Sequence, residues 1–221
     1  MHKLGLIGKN ISYSFSKAYF KNKFKKEQIS NVSYENFDID NIALFPSIME
    51  NTEGIKGFNV TIPYKEAIIP FLDALDETAK KIGAVNTIKV SKNNQLIGYN
   101  TDCHGFKNSL KPLLKPHHKK ALILGTGGAS KAIAFSLKEL NINYDFVSRT
   151  SKNGVNFTYD SLTDEIIKQH QIIINCTPIG TFPNVDACPN IPFGAINSKH
   201  ILYDLIYNPE ETTFLKFGKD H

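Results

Sequence analysis

The stretch that most restricts how this chain can fold runs from Lys120 to Leu140. It opens with Ala121-Leu122-Ile123-Leu124, an unbroken apolar run of the kind a strand shows when both of its faces are buried. Gly125-Thr126-Gly127-Gly128-Ala129-Ser130 follows at once, and an apolar helical pattern continues to Leu140. Strand, glycine turn and helix in that order open a βαβ unit, which commits this half of the chain to a mainly parallel sheet covered by helices. The glycines also permit a tight turn and a close backbone approach to a pyrophosphate at the helix N-terminus, although the third fingerprint position is Ser130 rather than glycine or alanine. A glycine turn that merely joins strand to helix is the competing reading.

Further buried strands are expected at Tyr144 to Ser148, Gln171 to Asn175 and His200 to Leu205, as a doubly wound sheet requires. The preceding half reads as strand and helix in alternation. Residues 3 to 8, 32 to 37 and 58 to 61 have strand character, Ser16 to Phe24 is a helix with Ser16 as a plausible N-cap, and Asp73 to Ile82 is a helix. Ala84 to Val90 and Leu96 to Tyr99 flank Lys92-Asn93-Asn94-Gln95 and predict a hairpin at the edge of that sheet. A helix from about Thr101 to Leu110 leads into Pro112, Pro116 and His117-His118-Lys119-Lys120, which marks a boundary. The division expected is residues 1–101 and 102–221, within a chain of 221 residues that has no need of disulfides or a structural metal to fold.

Charge narrows the partners. Lysine and arginine together number 26 against 21 acidic residues, yet Arg149 is the single arginine. Readers of nucleic acid lean on the arginine fork, so nucleic acid is not an expected partner. Cys103, Cys176 and Cys188 have neither metal-ligand spacing nor an even count, which fits reduced thiols in a cytoplasm, and no metal site is expected. No apolar run approaches the length of a membrane span.

Several short motifs are ambiguous one at a time. Val147-Ser148-Arg149-Thr150 ends the second strand of the βαβ unit, where a basic side chain suits a 2′-phosphate and an acidic one the ribose hydroxyls. An arginine on a solvated loop is the plain alternative, but the only arginine falls where bidentate phosphate recognition is useful. Ser12-Tyr13-Ser14-Phe15-Ser16 sets hydroxyls at alternate positions before a helix, which suits either carboxylate binding or simple capping. Lys65 lies in a loop after a strand and Asp102 at a helix start, where the default roles are a surface lysine and an N-cap.

Taken in order, Asn59-Val60-Thr61-Ile62-Pro63-Tyr64-Lys65, Gly83-Ala84-Val85-Asn86-Thr87, Asn100-Thr101-Asp102, Gly125-Thr126-Gly127-Gly128-Ala129 and Asn175-Cys176-Thr177-Pro178-Ile179-Gly180 closely resemble the shikimate dehydrogenases of the aromatic amino-acid pathway, from Leu4 to about Phe217. The resemblance implies an N-terminal α/β substrate domain followed by a Rossmann-like domain. It implies an oxidoreductase acting on a CH–OH group, with NADP as cofactor and reversible reduction of 3-dehydroshikimate to shikimate as reaction. Position by position, it makes Lys65 the acid/base residue with Asp102 beside it. Ser14 and Ser16 would hold the substrate carboxylate, and Asn59, Thr61, Asn86 and Asp102 the ring hydroxyls. Gly125, Thr126, Gly127, Gly128 and Ala129 would hold the pyrophosphate, and Ser148, Arg149, Thr150 and Lys152 the adenosine phosphate. Thr177 and Pro178 would form the nicotinamide-side loop, with Leu205 and Tyr207 beneath nicotinamide and substrate. The partners implied are small molecules, in a monomer or homodimer.

Two departures stand out. The family's usual Asn-Arg-Thr is Ser148-Arg149-Thr150 here. Family members also continue beyond the stretch matching Thr213 to Gly218 into a helix that supplies a glutamine to the substrate, for which no counterpart precedes His221. Quinate dehydrogenase is the nearest other enzyme, with NAD preference as its mark. A non-catalytic sensor of a cyclohexane carboxylate is the alternative of another class.

Overall fold

The computed structural model describes residues 1–12 and 14–221, so Tyr13 of the serine cluster lies outside the described residues. The chain divides into two compact units, Met1–Asp102 and Cys103–His221.

In the first unit β1 (His2–Gly8), β2 (Val32–Asp38) and β3 (Ile55–Val60) are parallel neighbours, with α1 (Phe15–Lys26) and α2 (Phe45–Asn51) as the connecting helices. β4 (Ala74–Leu75) and α3 (Glu77–Ile82) precede the hairpin of β5 (Thr87–Val90) and β6 (Leu96–Tyr99). The sheet order is β2-β1-β3-β5-β6-β4, with β5 antiparallel to both of its neighbours. Its core gathers Ile7, Phe45, Phe58, Val60, Ile68, Val85 and Ile88.

Three expectations need correction. The cap of α1 is Ser14, whose Oγ accepts from the Ser16 N–H at 3.2 Å, so Ser16 belongs to the first turn. The helix expected from Asp73 begins only at Glu77. Asp76 receives the N–H groups of Thr78 and Ala79, while Ala74 and Leu75 pair with Ile97 and Gly98. That pairing also places β4 outside the hairpin, which is therefore not the edge of the sheet.

The second unit begins within α4 (Asp102–Leu110) and continues through β7 (Lys120–Leu124), α5 (Gly128–Glu139), β8 (Asn143–Ser148), β9 (Phe157–Thr158), α6 (Asp164–Gln169), β10 (Ile172–Asn175), β11 (Ile201–Asp204) and α7 (Thr213–Lys219). Its five strands are all parallel, in the order β11-β10-β7-β8-β9. Strand alternation sends Ala121 and Ile123 to one face against Phe106, Ile133 and Leu137, and Leu122 and Leu124 to the other against Ile167, Ile173 and Phe214. Burial on both faces is the reason β7 is apolar throughout. Each of those fully buried large side chains contributes about 1.5–3 kcal/mol. Ser130 fits the close packing of α5 on the sheet because its hydroxyl donates to Gly127 O at 2.7 Å. No described helix is long and apolar enough to cross a membrane.

Candidate active site

In the first unit the polar residues converge just past the C-terminal ends of strands. β3 stops at Val60, so Thr61 and Lys65 lie on the loop beyond it, and Asp102 starts α4 directly after β6. The Lys65 Nζ donates to Asp102 Oδ2 at 2.7 Å, with the two side chains only 15% and 33% exposed. Of the ion pairs among the described residues, several others join well-exposed lysines to carboxylates on the surface, where such contacts are worth little. This one is set into a polar cluster.

Asn86, 8% exposed, donates from Nδ2 to Asp102 Oδ1 at 2.7 Å and to Thr101 Oγ1 at 2.9 Å. Its Oδ1 accepts from the Thr101 N–H at 2.9 Å and from the Thr87 hydroxyl at 3.0 Å. Asn59 joins through its Nδ2, which donates to Thr87 Oγ1. Lys65, Asp102, Asn86 and Asn59 are thus brought together. Thr61 and the two serines stand apart from this hydrogen-bonded cluster; the Thr61 methyl instead lies 2.6 Å from where a Cβ on Gly8 would be. Ser14 accepts a hydrogen bond as the cap of α1, which leaves its own O–H to donate.

In the second unit the turn after β7 has the features a pyrophosphate needs. Gly125 takes φ +103°, a left-handed backbone that favours glycine, and a Cβ there would press on the Thr177 methyl at 3.0 Å. Gly127 caps α5 with no side chain bonded to the helix start, and a Cβ placed on it would meet nothing within 4 Å. The N-terminus of α5 therefore has no capping side chain on its N–H groups, and such donors suit a dinucleotide phosphate. Thr126, Gly128 and Ala129 complete the turn. Beyond β8, Ser148 Oγ accepts from the Thr150 N–H at 3.5 Å, and Arg149, Thr150 and Lys152 are exposed.

The loop after β10 is tied down. Asn175 Oδ1 accepts from the Thr177 N–H at 3.0 Å and from its hydroxyl at 2.7 Å, and Thr177 Oγ1 in turn accepts from the Ile179 N–H at 3.2 Å. Pro178 is exposed, Leu205 donates its N–H to Asn175 O at 3.1 Å, and Tyr207 is 65% exposed.

Several contributors escape sequence reasoning. Asp204, at the end of β11, accepts from Asn175 Nδ2 at 3.2 Å, the Ile206 N–H at 3.0 Å and the Thr212 hydroxyl at 2.7 Å. Burial pushes its carboxyl up, against the opposing pull of those bonds. An acidic residue closing an apolar strand is the signal that could have found it. Tyr159 follows β9 as Arg149 follows β8, since Ser148 and Thr158 are in register. Its hydroxyl is buried with no hydrogen-bond partner among the described residues, and burial pushes it up to about 12. Thr87 and Thr101 bind Asn86; each stands inside a motif named above, Gly83-Ala84-Val85-Asn86-Thr87 and Asn100-Thr101-Asp102, without a role assigned to it there.

A lysine–aspartate pair suited to proton transfer in one unit, and a nucleotide-type glycine turn in the other, define an α/β oxidoreductase of the dinucleotide-dependent class. The model of the shikimate dehydrogenase substrate binding domain matches residues 6–88. A shikimate dehydrogenase (NADP⁺) of Methanosphaera stadtmanae is 40% identical over 235 residues, spanning 97% of this chain and 81% of that protein. Among solved structures, shikimate dehydrogenase 1 of Peptoclostridium difficile shares 39% identity at a TM-score of 0.83, over 100% of this chain and 82% of its own. The Thermus thermophilus enzyme in complex with NADP(H) and shikimate shares 29% identity at a TM-score of 0.84, covering 100% and 84%. The chain belongs to the shikimate dehydrogenase family.

Proposed function

We propose that the protein catalyses the reversible, NADPH-dependent reduction of 3-dehydroshikimate to shikimate. The observation that carries this reading is the Lys65–Asp102 pair, 2.7 Å apart and joined to the Asn86 amide. NADPH, when bound, supplies the hydride. Reduction of a ketone builds negative charge on its oxygen, and the Lys65 ammonium meets that charge and donates the proton that completes the hydroxyl. Asp102 holds the ammonium in place. In the oxidative direction a neutral Lys65 takes the hydroxyl proton instead.

Asn59, Thr61 and Asn86 serve the ring hydroxyls, and Ser14 and Ser16 the carboxylate. In the other unit Gly125, Thr126, Gly127, Gly128 and Ala129 hold the pyrophosphate. Ser148, Arg149, Thr150 and Lys152 hold the adenosine phosphate, while Thr177, Pro178, Leu205 and Tyr207 line the nicotinamide side. The relative crystallised with NADP(H) and shikimate supports this pairing of ligands. Residues 1–101 make up the substrate domain and 102–221 the cofactor domain, and three cysteines, an odd number without metal-ligand spacing, support a cytoplasmic setting.

The test is the purified protein supplied with shikimate and NADP. NADPH formation that requires shikimate, and that proceeds faster than quinate oxidation with NAD, is the expected result. Binding of shikimate with no turnover on either cofactor overturns the enzyme reading in favour of a sensor.

A further inference from the structure

The polar groups of the first unit form one directed chain of hydrogen bonds whose far end the proposed function does not use. A carboxylate can only accept, so Asn86 must turn Nδ2 to Asp102 Oδ1, at 2.7 Å. The Thr101 N–H, 2.9 Å from Asn86 Oδ1, demands the same orientation independently. Thr87 has one hydroxyl proton, and it goes to Asn86 Oδ1 at 3.0 Å. Toward Asn59 the Thr87 oxygen is then an acceptor, which turns Asn59 Nδ2 to it across 3.4 Å. That leaves Asn59 Oδ1 facing the Tyr34 hydroxyl, which donates to it at 2.8 Å. The charge of Asp102 therefore sets the polarity of every link as far as Tyr34.

The geometry suits a rigid support. Tyr34 is 5% exposed on β2, and its ring stacks on Phe20 of α1 with centroids 4.4 Å apart and planes at 14°. Asn59 and Thr87 are direct cross-strand partners of β3 and β5. The link between those two is the longest of the chain, so Thr87 alone holds the Asn59 amide weakly. The bond from Tyr34 is the shorter and better one.

We propose that Tyr34 is a positioning residue for the substrate site: at the far end of the chain whose polarity Asp102 sets, its hydroxyl fixes the rotation of the Asn59 amide, which Thr87 alone holds weakly. The inference rests on the substrate roles given above to Asn59 and Asp102. Without the Tyr34 donor, Asn59 Oδ1 can turn to compete for the Thr87 proton, and the amide no longer presents a single face to the substrate.

The test is steady-state kinetics on the whole protein with shikimate and NADP. Tyr34→Phe is expected to raise the KM for shikimate by about 2- to 12-fold, the equivalent of one neutral hydrogen bond, and to leave NADP affinity unchanged. In an Asn59→Ala background Tyr34→Phe should add nothing, because no amide remains to be oriented. A KM equal to that of the unmutated protein, or the same factor in both backgrounds, overturns the proposal. If Tyr34→Phe does not fold, Thr87→Val and Thr87→Ser decide the matter. The valine is expected to raise KM and the serine, which keeps the hydroxyl, to recover it; equal effects overturn the proposal. Absence of shikimate turnover in the unmutated protein overturns the functional reading and this inference with it, whereas an active protein indifferent to Tyr34→Phe removes this inference alone.

Discussion

Replacing Asp102 by asparagine tests the proton-transfer pair with almost no change of shape. Two donors converge on the carboxylate, Lys65 Nζ on Oδ2 and Asn86 Nδ2 on Oδ1, each at 2.7 Å. Asparagine has one acceptor oxygen to offer them. Turned toward Asn86, it sets its NH₂ against the Lys65 ammonium; turned the other way, it sets NH₂ against the NH₂ of Asn86. Asn86 cannot rotate to relieve the clash, because its Oδ1 already accepts the Thr101 backbone N–H at 2.9 Å. One donor–donor contact is therefore unavoidable. Loss of a hydrogen bond to a charged group costs about 1.5–3 kcal/mol, which at about 1.4 kcal/mol per tenfold is a fall of about 10- to 150-fold in kcat/KM. The carboxylate is one-third exposed, so water repairs part of the loss and the lower half of that range is expected. Lys65→Met, which removes the acid/base itself, should cost about 10²–10⁴ in kcat. The double variant should be little worse than Lys65→Met, since the two residues act as a unit. Initial rates of shikimate-dependent NADP reduction resolve kcat from KM, and a thermal melt verifies that each variant folds. A double variant whose loss equals the product of the single losses refutes the reasoning, as does an Asp102→Asn protein with unmutated kinetics.

Arg149→Ala should weaken NADP by about 10- to 150-fold and leave NAD affinity nearly untouched, measured by nicotinamide fluorescence titration; equal losses would end the 2′-phosphate assignment. Gly127→Ala should fold with an unchanged melting temperature, because its Cβ meets nothing within 4 Å, yet it fills the space before α5 and should raise the Kd for NADP. Asp145 feels burial that raises its carboxyl and bonds from Lys120 and His170 that together lower it more, so its folded-state value lies below the ordinary 3.8. A depressed carboxyl stabilises the fold above about 3.8 and loses that contribution as pH falls through the folded-state value. The melting-temperature deficit of Asp145→Asn should accordingly be largest near neutral pH and shrink in acid, read from melts across a pH series.

How much of this was open to sequence reading follows from the range over which each feature is determined. The βαβ opening was legible because a strand buried on both faces must be apolar at every position from Ala121 to Leu124, and because Gly125 must adopt a backbone conformation that disfavours other residues. Those are local requirements, and they leave a local record. The start of α3 was misread because Asp73, Ala74 and Leu75 carry acceptable helical spacing, whereas the partner that draws Ala74 and Leu75 into a strand is β6, more than twenty residues further on. Lys65 and Asp102 could be named from motif resemblance, but nothing along the chain indicates that their side chains meet, 37 residues apart. Tyr34 left no mark at all. It reads as one more aromatic on a strand, and only the sheet that sets β2, β1, β3 and β5 side by side gives its hydroxyl the Asn59 oxygen as a partner. Hydrophobic period and backbone geometry act through neighbours in sequence, so the chain by itself determined its apolar central strand β7 and the glycine turn after it. Hydrogen-bond direction acts through neighbours in space, so the orientation of Asn59, Asn86 and Asp102 was decided only once the sheet had formed.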